Sequence, residues 1–249
     1  MSPTPSVSAL PPTSRRRSSF GDLAELRGTT YGLLGSLFCY PAPADLAELV
    51  AEARGFPPRR CLAREFPFLW PLRSLLDRLC SLEESERAQL EHEYVGLLVI
   101  NTSQPPCPPY ESVYVERQGR ERGLVSVAVE RAYAVSGVAL ADRRELPDHA
   151  ALELGFLSVL CDEEEQAWRN GEVERARDYL RREEDFHERH LQRWFSIFAL
   201  RLARLAAPGS FYRLLAGAAH AFVVHDRDLV GMLLEEPSLA AVRPGVLPP

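Results

Sequence analysis

The chain has no lysine: all 29 of its basic residues are arginine. This excludes a lysine Schiff base and a Walker-A lysine cradling phosphates. No apolar run approaches the ~20 residues that a membrane-spanning helix needs, so no integral membrane segment is expected. The N-terminus lacks the apolar core of a secretory signal, and residues 1–19 are instead rich in Pro, Ser and Thr. Cysteine is sparse and scattered. Cys39, Cys61, Cys80, Cys107 and Cys161 form no C-x-x-C pair, which leaves a structural zinc site or a redox dithiol without support. They read as reduced thiols of a cytoplasmic protein. Neither a G-x-S-x-G elbow nor a G-x-G-x-x-G loop occurs, so a nucleophilic hydrolase and a dinucleotide site have no motif behind them.

Positive charge is not in excess. The net charge is −6, and three of the arginines, Arg15, Arg16 and Arg17, fall in the N-terminal tail. An acidic body argues against nucleic acid as a partner and suits a cationic peptide. The segment Ser14 to Phe20 mimics a twin-arginine export signal, but Asp22, Glu25 and Arg27 interrupt the stretch that should be apolar. Residues 1–19 are therefore expected to be a disordered basic tail, residues 20–236 a helical domain, and residues 237–249 a Pro-rich C-terminal tail.

Helical periodicity fills the chain between the tails. Leu23, Leu26, Leu33, Leu34, Leu37 and Phe38 approximate one helical face, which Pro41 and Pro43 end. Further helices are expected over about 45–54, 69–82, 85–99, 123–136, 150–169, 172–206 and 211–234, with Pro and Gly falling between them. Residues 101–109 contain four prolines and no helical period, so a loop is expected there. No strand run is evident and no repeat of 20–50 residues appears. The fold expected is all-α, a single compact multi-helix globular domain.

Two segments stand out chemically. Leu146-Pro147-Asp148-His149 precedes a helix, with Asp148 placed to cap it and with His149 and Glu153 four apart on one face. Tyr110 and Tyr114 sit beside the proline-rich loop, and phenol rings with polar tips suit a surface that grips and then releases a peptide. Elsewhere His187-Glu188-Arg189-His190 misses the zinc-protease spacing by one residue, and His190 is expected to pack with Phe186 and Trp194. The charge runs Glu163–Glu165 and Arg181–Asp185 read as solvated helix faces with local ion pairs.

The ordered set His92-Glu93-Tyr94-Val95-Gly96-Leu97-Leu98, Pro108 to Tyr114, Glu130 with Tyr133 and Gly137, Pro147-Asp148-His149 with Glu153-Leu154 and Phe156-Leu157, and Phe186 with His190-Leu191 and Trp194 resembles the TorD/DmsD family of redox-enzyme maturation chaperones. The resemblance spans about Leu26 to Leu234 and implies a TorD/DmsD-like helical bundle. It also implies a non-enzymatic role. Such a protein binds the leader or N-terminal segment of a molybdopterin oxidoreductase precursor, and in some cases the apoenzyme body. It holds the client in the cytoplasm until its cofactor is inserted, then releases it to twin-arginine export. No catalytic residue, metal or cofactor of its own is expected. The peptide-binding residues carried over are Pro109, Tyr110, Ser112, Tyr114, Pro147, Asp148 and His149, to which helical geometry adds Glu153. Many relatives place tryptophans where Tyr110 and Tyr114 stand, a departure that bears on client identity. Two other readings are a chaperone for a non-exported partner and, in a different class, a helical metal-dependent hydrolase using His149, His187 and His190.

Overall fold

The computed structural model describes residues 12–56, 66–99, 107–116, 123–140 and 145–236. Among these the helices are α1 Pro12–Leu37, α2 Pro43–Gly55, α3 Leu69–Cys80, α4 Glu84–Leu98, α5 Glu111–Val115, α6 Leu124–Val135, α7 Ala150–Asn170, α8 Val173–Phe186, α9 Gln192–Leu205 and α10 Phe211–Glu235. The described residues contain no strand, only one isolated antiparallel bridge between Tyr110 and His149. The all-α expectation holds. None of the described helices is long and apolar enough to cross a membrane.

Three features differ from the sequence reading. First, α1 begins at Pro12, within the tail expected to be disordered. Residues 1–11, the 237–249 tail and Cys61 lie outside the described residues. Second, the helix expected over 172–206 runs through a five-residue π-helical turn, His187–Leu191, that joins α8 to α9. A π turn adds a residue to the turn and shifts the register of the face that follows, and here both His187 and His190 end up buried. Third, the short α5 has no counterpart in the apolar period, because side chains from elsewhere hold it, as described below.

Helix ends follow local chemistry. Glu83 and Glu86 form a reciprocal capping box at the start of α4. Gly171, at φ +77°, closes α7 in the left-handed conformation, with the Glu172 amide donating back to the Ala167 carbonyl.

α1 lies closely along α7, because α1 presents glycine there. A β-carbon at Gly28 would stand 2.8 Å from Asp162 Oδ1, and one at Gly35 would stand 3.0 Å from the Ala151 carbonyl oxygen. The Ser158 hydroxyl donates to the Gly28 carbonyl at 2.8 Å, fixing the register of the pair.

Next to this contact a charged cluster is sealed inside the protein. Arg27 of α1 is 1% exposed and bonds three carboxylates: Glu164 of α7 at 2.6 Å, Asp226 of α10 at 2.5 Å, and Glu183 of α8. The Tyr31 hydroxyl donates to Asp226 at 2.7 Å and stands 2.9 Å from His187 Nε2, while the Trp168 indole donates to Glu164 at 2.7 Å. Glu164 and Glu183 were expected on solvated faces; both are buried in this cluster. One guanidinium thereby ties together four helices separated by up to 199 residues of sequence.

Candidate functional site

The proline-rich loop re-enters the described structure at Cys107, whose amide donates to the Leu97 carbonyl at the end of α4. The loop then pairs with the turn before α7. The Ala150 amide donates to the Pro109 carbonyl at 2.8 Å, and the Glu111 amide to the Asp148 carbonyl at 2.9 Å. The Asp148 carboxylate accepts from the Ser112 amide at 3.0 Å. Asp148 therefore caps α5 across the chain rather than α7, correcting the expectation from its position. His149 caps α7 instead, its Nδ1 accepting from the Ala151 amide at 3.1 Å. An accepting Nδ1 must be unprotonated, and burial lowers the imidazole's pKa, which keeps it neutral. The Tyr133 hydroxyl donates to the Pro147 carbonyl at 2.8 Å, anchoring the approach to the turn.

The carried-over residues thus come together on two clamped segments, but at different depths. Asp148, His149 and Glu153 are 0%, 1% and 0% exposed, and Pro109 is buried as well. Glu153 accepts from the Trp194 indole at 3.1 Å. Burial pushes its carboxyl well up, and the negative charge of Glu111 pushes the same way. Glu111 is itself sealed and lies 2.8 Å from His190 Nδ1. The Tyr114 ring stacks on Trp194 with centroids 5.6 Å apart, and its hydroxyl meets Cys107 Sγ at 3.3 Å. His190 packs on Phe186, centroids 4.9 Å apart, as expected. In this conformation these groups form the wall behind a surface, not the surface itself. Tyr110, Ser112, Tyr114 and Pro147 remain partly open.

Tyr110 leads outward to a feature the sequence reading did not single out. Its hydroxyl donates to Glu145, which is exposed. The Tyr40 hydroxyl donates to Glu91 at 3.0 Å, and its ring packs edge-on to Tyr94 at 5.5 Å. Tyr40 is on the rim of a groove of about 360 Å³ between the end of α1 and α2. The floor is apolar, with Leu37, Leu46, Leu90 and Phe211; Asp45, Glu48 and Glu52 stand along one side. Lost hydration and the neighbouring Glu48 raise the Glu52 carboxyl. The Cys39 thiol, in the same groove, is raised by lost hydration and by the charges of Glu145 and Asp45, so the acid around Tyr110 and the acid of α2 act on one place. The signal was present in the sequence: Asp45, Glu48 and Glu52 recur at three and four residues, one face of a helix.

The histidines of the hydrolase reading do not converge. His149 caps α7, His187 faces Tyr31 and Asp226, and His190 faces Glu111. Cys161, Glu164 and Glu183 lie close enough together to suggest metal ligands, yet both carboxylates already bind the Arg27 guanidinium.

With this geometry in view, the comparisons with known proteins are specific. A family described as nitrate reductase delta subunit matches residues 68–199, more than half of the chain. The chain belongs to that family. The resemblance to TorD/DmsD redox-enzyme maturation chaperones is thereby shown. The chain is 36% identical over 117 residues to a chlorate reductase assembly chaperone protein of Ideonella dechloratans, which covers 47% of this chain and 58% of that protein. It is 34% identical over 114 residues to a selenate reductase assembly chaperone protein of Thauera selenatis, covering 45% and 57% respectively. The match thus spans a little over half the length of these relatives. A crystal structure of a redox enzyme maturation protein from Archaeoglobus fulgidus superposes with a TM-score of 0.54 at 23% identity, covering 79% of this chain and 93% of that one, and supports the fold. The family match takes in α3 to α8, the π turn, the first half of α9, the proline-rich loop and the Asp148–His149 turn, while α1, α2 and α10 lie outside it.

Proposed function

We propose that this protein is a cytoplasmic assembly chaperone that binds the N-terminal leader of a molybdopterin oxidoreductase catalytic subunit, holds the precursor until its cofactor is inserted, and then releases it for export. The roles of the two relatives, assembly of chlorate and of selenate reductase, support the class of client. The observation that carries the reading is the groove of α1 and α2, which pairs exposed carboxylates with an apolar floor. A twin-arginine leader presents the complement, two guanidinium groups followed by an apolar helix. Carboxylates accept guanidinium forks, and the floor takes the apolar face as in helix-in-groove recognition. Tyr110, Ser112 and Pro147 extend the surface toward Glu145. Asp148, His149 and Glu153 act from behind as positioning residues that hold α5 and the start of α7. No bond is made or broken in this role.

The test is fluorescence anisotropy with a labelled leader peptide. Asp45→Asn combined with Glu48→Gln is expected to weaken binding about tenfold, or ~1.4 kcal/mol, without changing the unfolding midpoint, since both residues are exposed. Unchanged affinity in that variant would remove the groove from the proposal. Replacing the paired arginines of the peptide by lysines should cost a similar factor, because lysine has no bidentate fork. Equal binding of the lysine peptide would instead identify a client without a twin-arginine signal.

A further inference from the structure

A second groove, of about 1100 Å³, runs between α6 and the continuous α8–π–α9 helix. Its charge is opposite to that of the first. Arg131 contributes from α6, and Arg181, Arg182, Arg189 and Arg193 from the facing helix; all five are exposed. The π turn sits at mid-groove, and Arg189 lies within it. Five guanidinium groups converge here on a chain whose net charge is −6.

The groove is only partly neutralised from within. Arg189 pairs with Asp185 at 2.6 Å and Arg181 with Asp178 at 2.5 Å, while Arg193 reaches Glu111 at 3.8 Å. Arg131 has no ion pair among the described residues, and Arg182 lies over the Tyr179 ring at 5.2 Å. Outside the described residues the chain is itself poorer in acid than in arginine: residues 1–11, 100–106 and 237–249 contain no Asp or Glu. Residues 57–65, 117–122 and 141–144 each hold one acidic residue against two or three arginines. The groove therefore offers exposed positive charge that an acidic partner complements.

The surroundings say what kind. Phe156 and Phe186 form the floor, and Val135, 76% exposed, lines the groove from α6. Beyond Arg193, α9 continues outward with Ile197 and Leu200, both more than half exposed. Isolated exposed valines are ordinary, but here Val135 stands beside the Phe156 and Phe186 rings within one cationic groove. A small multiply charged anion has no use for that apolar border; a helix with carboxylates on one side and aliphatic residues on the other uses both.

We propose that the arginine groove between α6 and the α8–π–α9 helix docks an acidic amphipathic helical segment of a partner polypeptide. Its carboxylates pair with Arg131, Arg181, Arg182, Arg189 and Arg193, and its apolar face lies on Phe156, Phe186 and Val135. The site is separate from the leader groove, since a basic leader is repelled by it, and it stands whether or not the leader proposal holds. Occupation of the groove also touches the clamp behind the first site, because Arg193 faces Glu111, the first residue of α5.

The test uses a labelled helix-forming peptide of about 18 residues, with Glu at helical spacing on one face and Leu on the other, and a control in which every Glu is Lys. Anisotropy is read at about 0.05 M and about 0.3 M salt, where screening separates charge from apolar contact. The acidic peptide is expected to bind, to lose about tenfold or more in affinity with Arg131→Glu plus Arg189→Glu, and to weaken with salt; the lysine control is expected not to bind. Both substitutions are at exposed positions, and an unchanged thermal midpoint confirms that the variant is folded. Equal binding of the two peptides, or unchanged affinity in the double variant, overturns the proposal. So does complete displacement by equimolar inorganic pyrophosphate, which would mark a site for a small anion instead of a polypeptide.

Discussion

Arg27→Met is expected to abolish cooperative folding at neutral pH. The side chains are close in length, so the change removes a charge more than a volume. What stays behind is Glu164, Glu183 and Asp226, all sealed and all turned toward the vacated guanidinium. Removing one partner of a buried ion pair costs about 3–5 kcal/mol, and here the one cation faces three acids, of which Asp226 is held ionised while Glu183 keeps its proton below about pH 8. Total domain stability is about 5–15 kcal/mol, so most or all of it goes. Urea unfolding followed by circular dichroism is the measurement. A variant that loses less than about 1 kcal/mol would show that Arg27 acts as an exposed pair does, against its burial. Adding Glu183→Gln and Asp226→Asn to Arg27→Met should restore much of the loss, because neutral buried networks of similar shape are tolerated far better than unpaired charge.

The same cluster sets a pH dependence. Burial raises the Glu183 carboxyl to about 8 against the pull of Arg27, and raises Glu164 as well. The folded chain thus keeps a proton on Glu183 that the unfolded chain gives up above about 4.5. The stability tied to that proton is complete below about 4.5 and is lost as pH rises through about 8. For Asp226, burial pushes the carboxyl up, yet Arg27 and His187 overrule it and hold it low. Its contribution is therefore lost only as pH falls below the ordinary aspartate value of 3.8. Thermal midpoints measured from pH ~5 to ~9 should fall, and Glu183→Gln should remove about one proton's worth of that slope. An unchanged slope in the variant would mean that Glu183 is ionised throughout.

The helices were legible in the sequence because apolar residues recur at three and four. The cluster was legible by the same rule, had polar residues been allowed into it. Leu157, Cys161, Glu164 and Trp168 step by four, three and four along α7, as do Ala176, Leu180, Glu183 and His187 along α8 and its π turn. Ala24, Arg27, Tyr31 and Leu34 step by three, four and three along α1. Each occupies a core-facing register, but Glu164 stands between Glu163 and Glu165 and Glu183 beside Glu184 and Asp185, and these runs mask the register. The candidate site shows a different limit. Tyr110, Tyr114, Asp148, His149 and Glu153 stood out by their chemistry, and Pro109 and Ser112 by the family resemblance, and the two segments do meet. That Asp148 would cap α5 and not its own helix was not readable, because the amide it accepts from lies 36 residues earlier. The π turn also left no mark, since its composition is that of an ordinary helix.

Gly35→Leu is expected to be the most damaging change outside the charged cluster, and to reach the leader groove as well. At this point α1 and α7 meet backbone to backbone. A β-carbon would stand 3.0 Å from the Ala151 carbonyl oxygen and 3.4 Å from the Gly155 amide nitrogen. Neither is the loose end of a side chain, so relief requires the helices to part. Overpacking typically costs about 1–3 kcal/mol, and a leucine against rigid backbone belongs at or above the top of that range. Gly35→Ala should cost less, since the helix propensity gained over glycine, about 1 kcal/mol, offsets part of the clash. Gly217 of α10 is the control: nothing lies within 4 Å of its β-carbon position, so Gly217→Ala should be neutral or slightly stabilising. Location makes Gly35 matter for binding. Ala151 is in the first turn of α7, next to the His149 cap, and Leu37, Cys39 and Tyr40, just beyond Gly35, line the acidic groove. Parting the helices here shifts one wall of the groove against the Tyr110–His149 clamp. Gly35→Ala, still folded, should therefore bind the leader peptide more weakly than the wild type while Gly217→Ala binds it equally. Equal binding by both would place the leader away from the junction of α1 and α7.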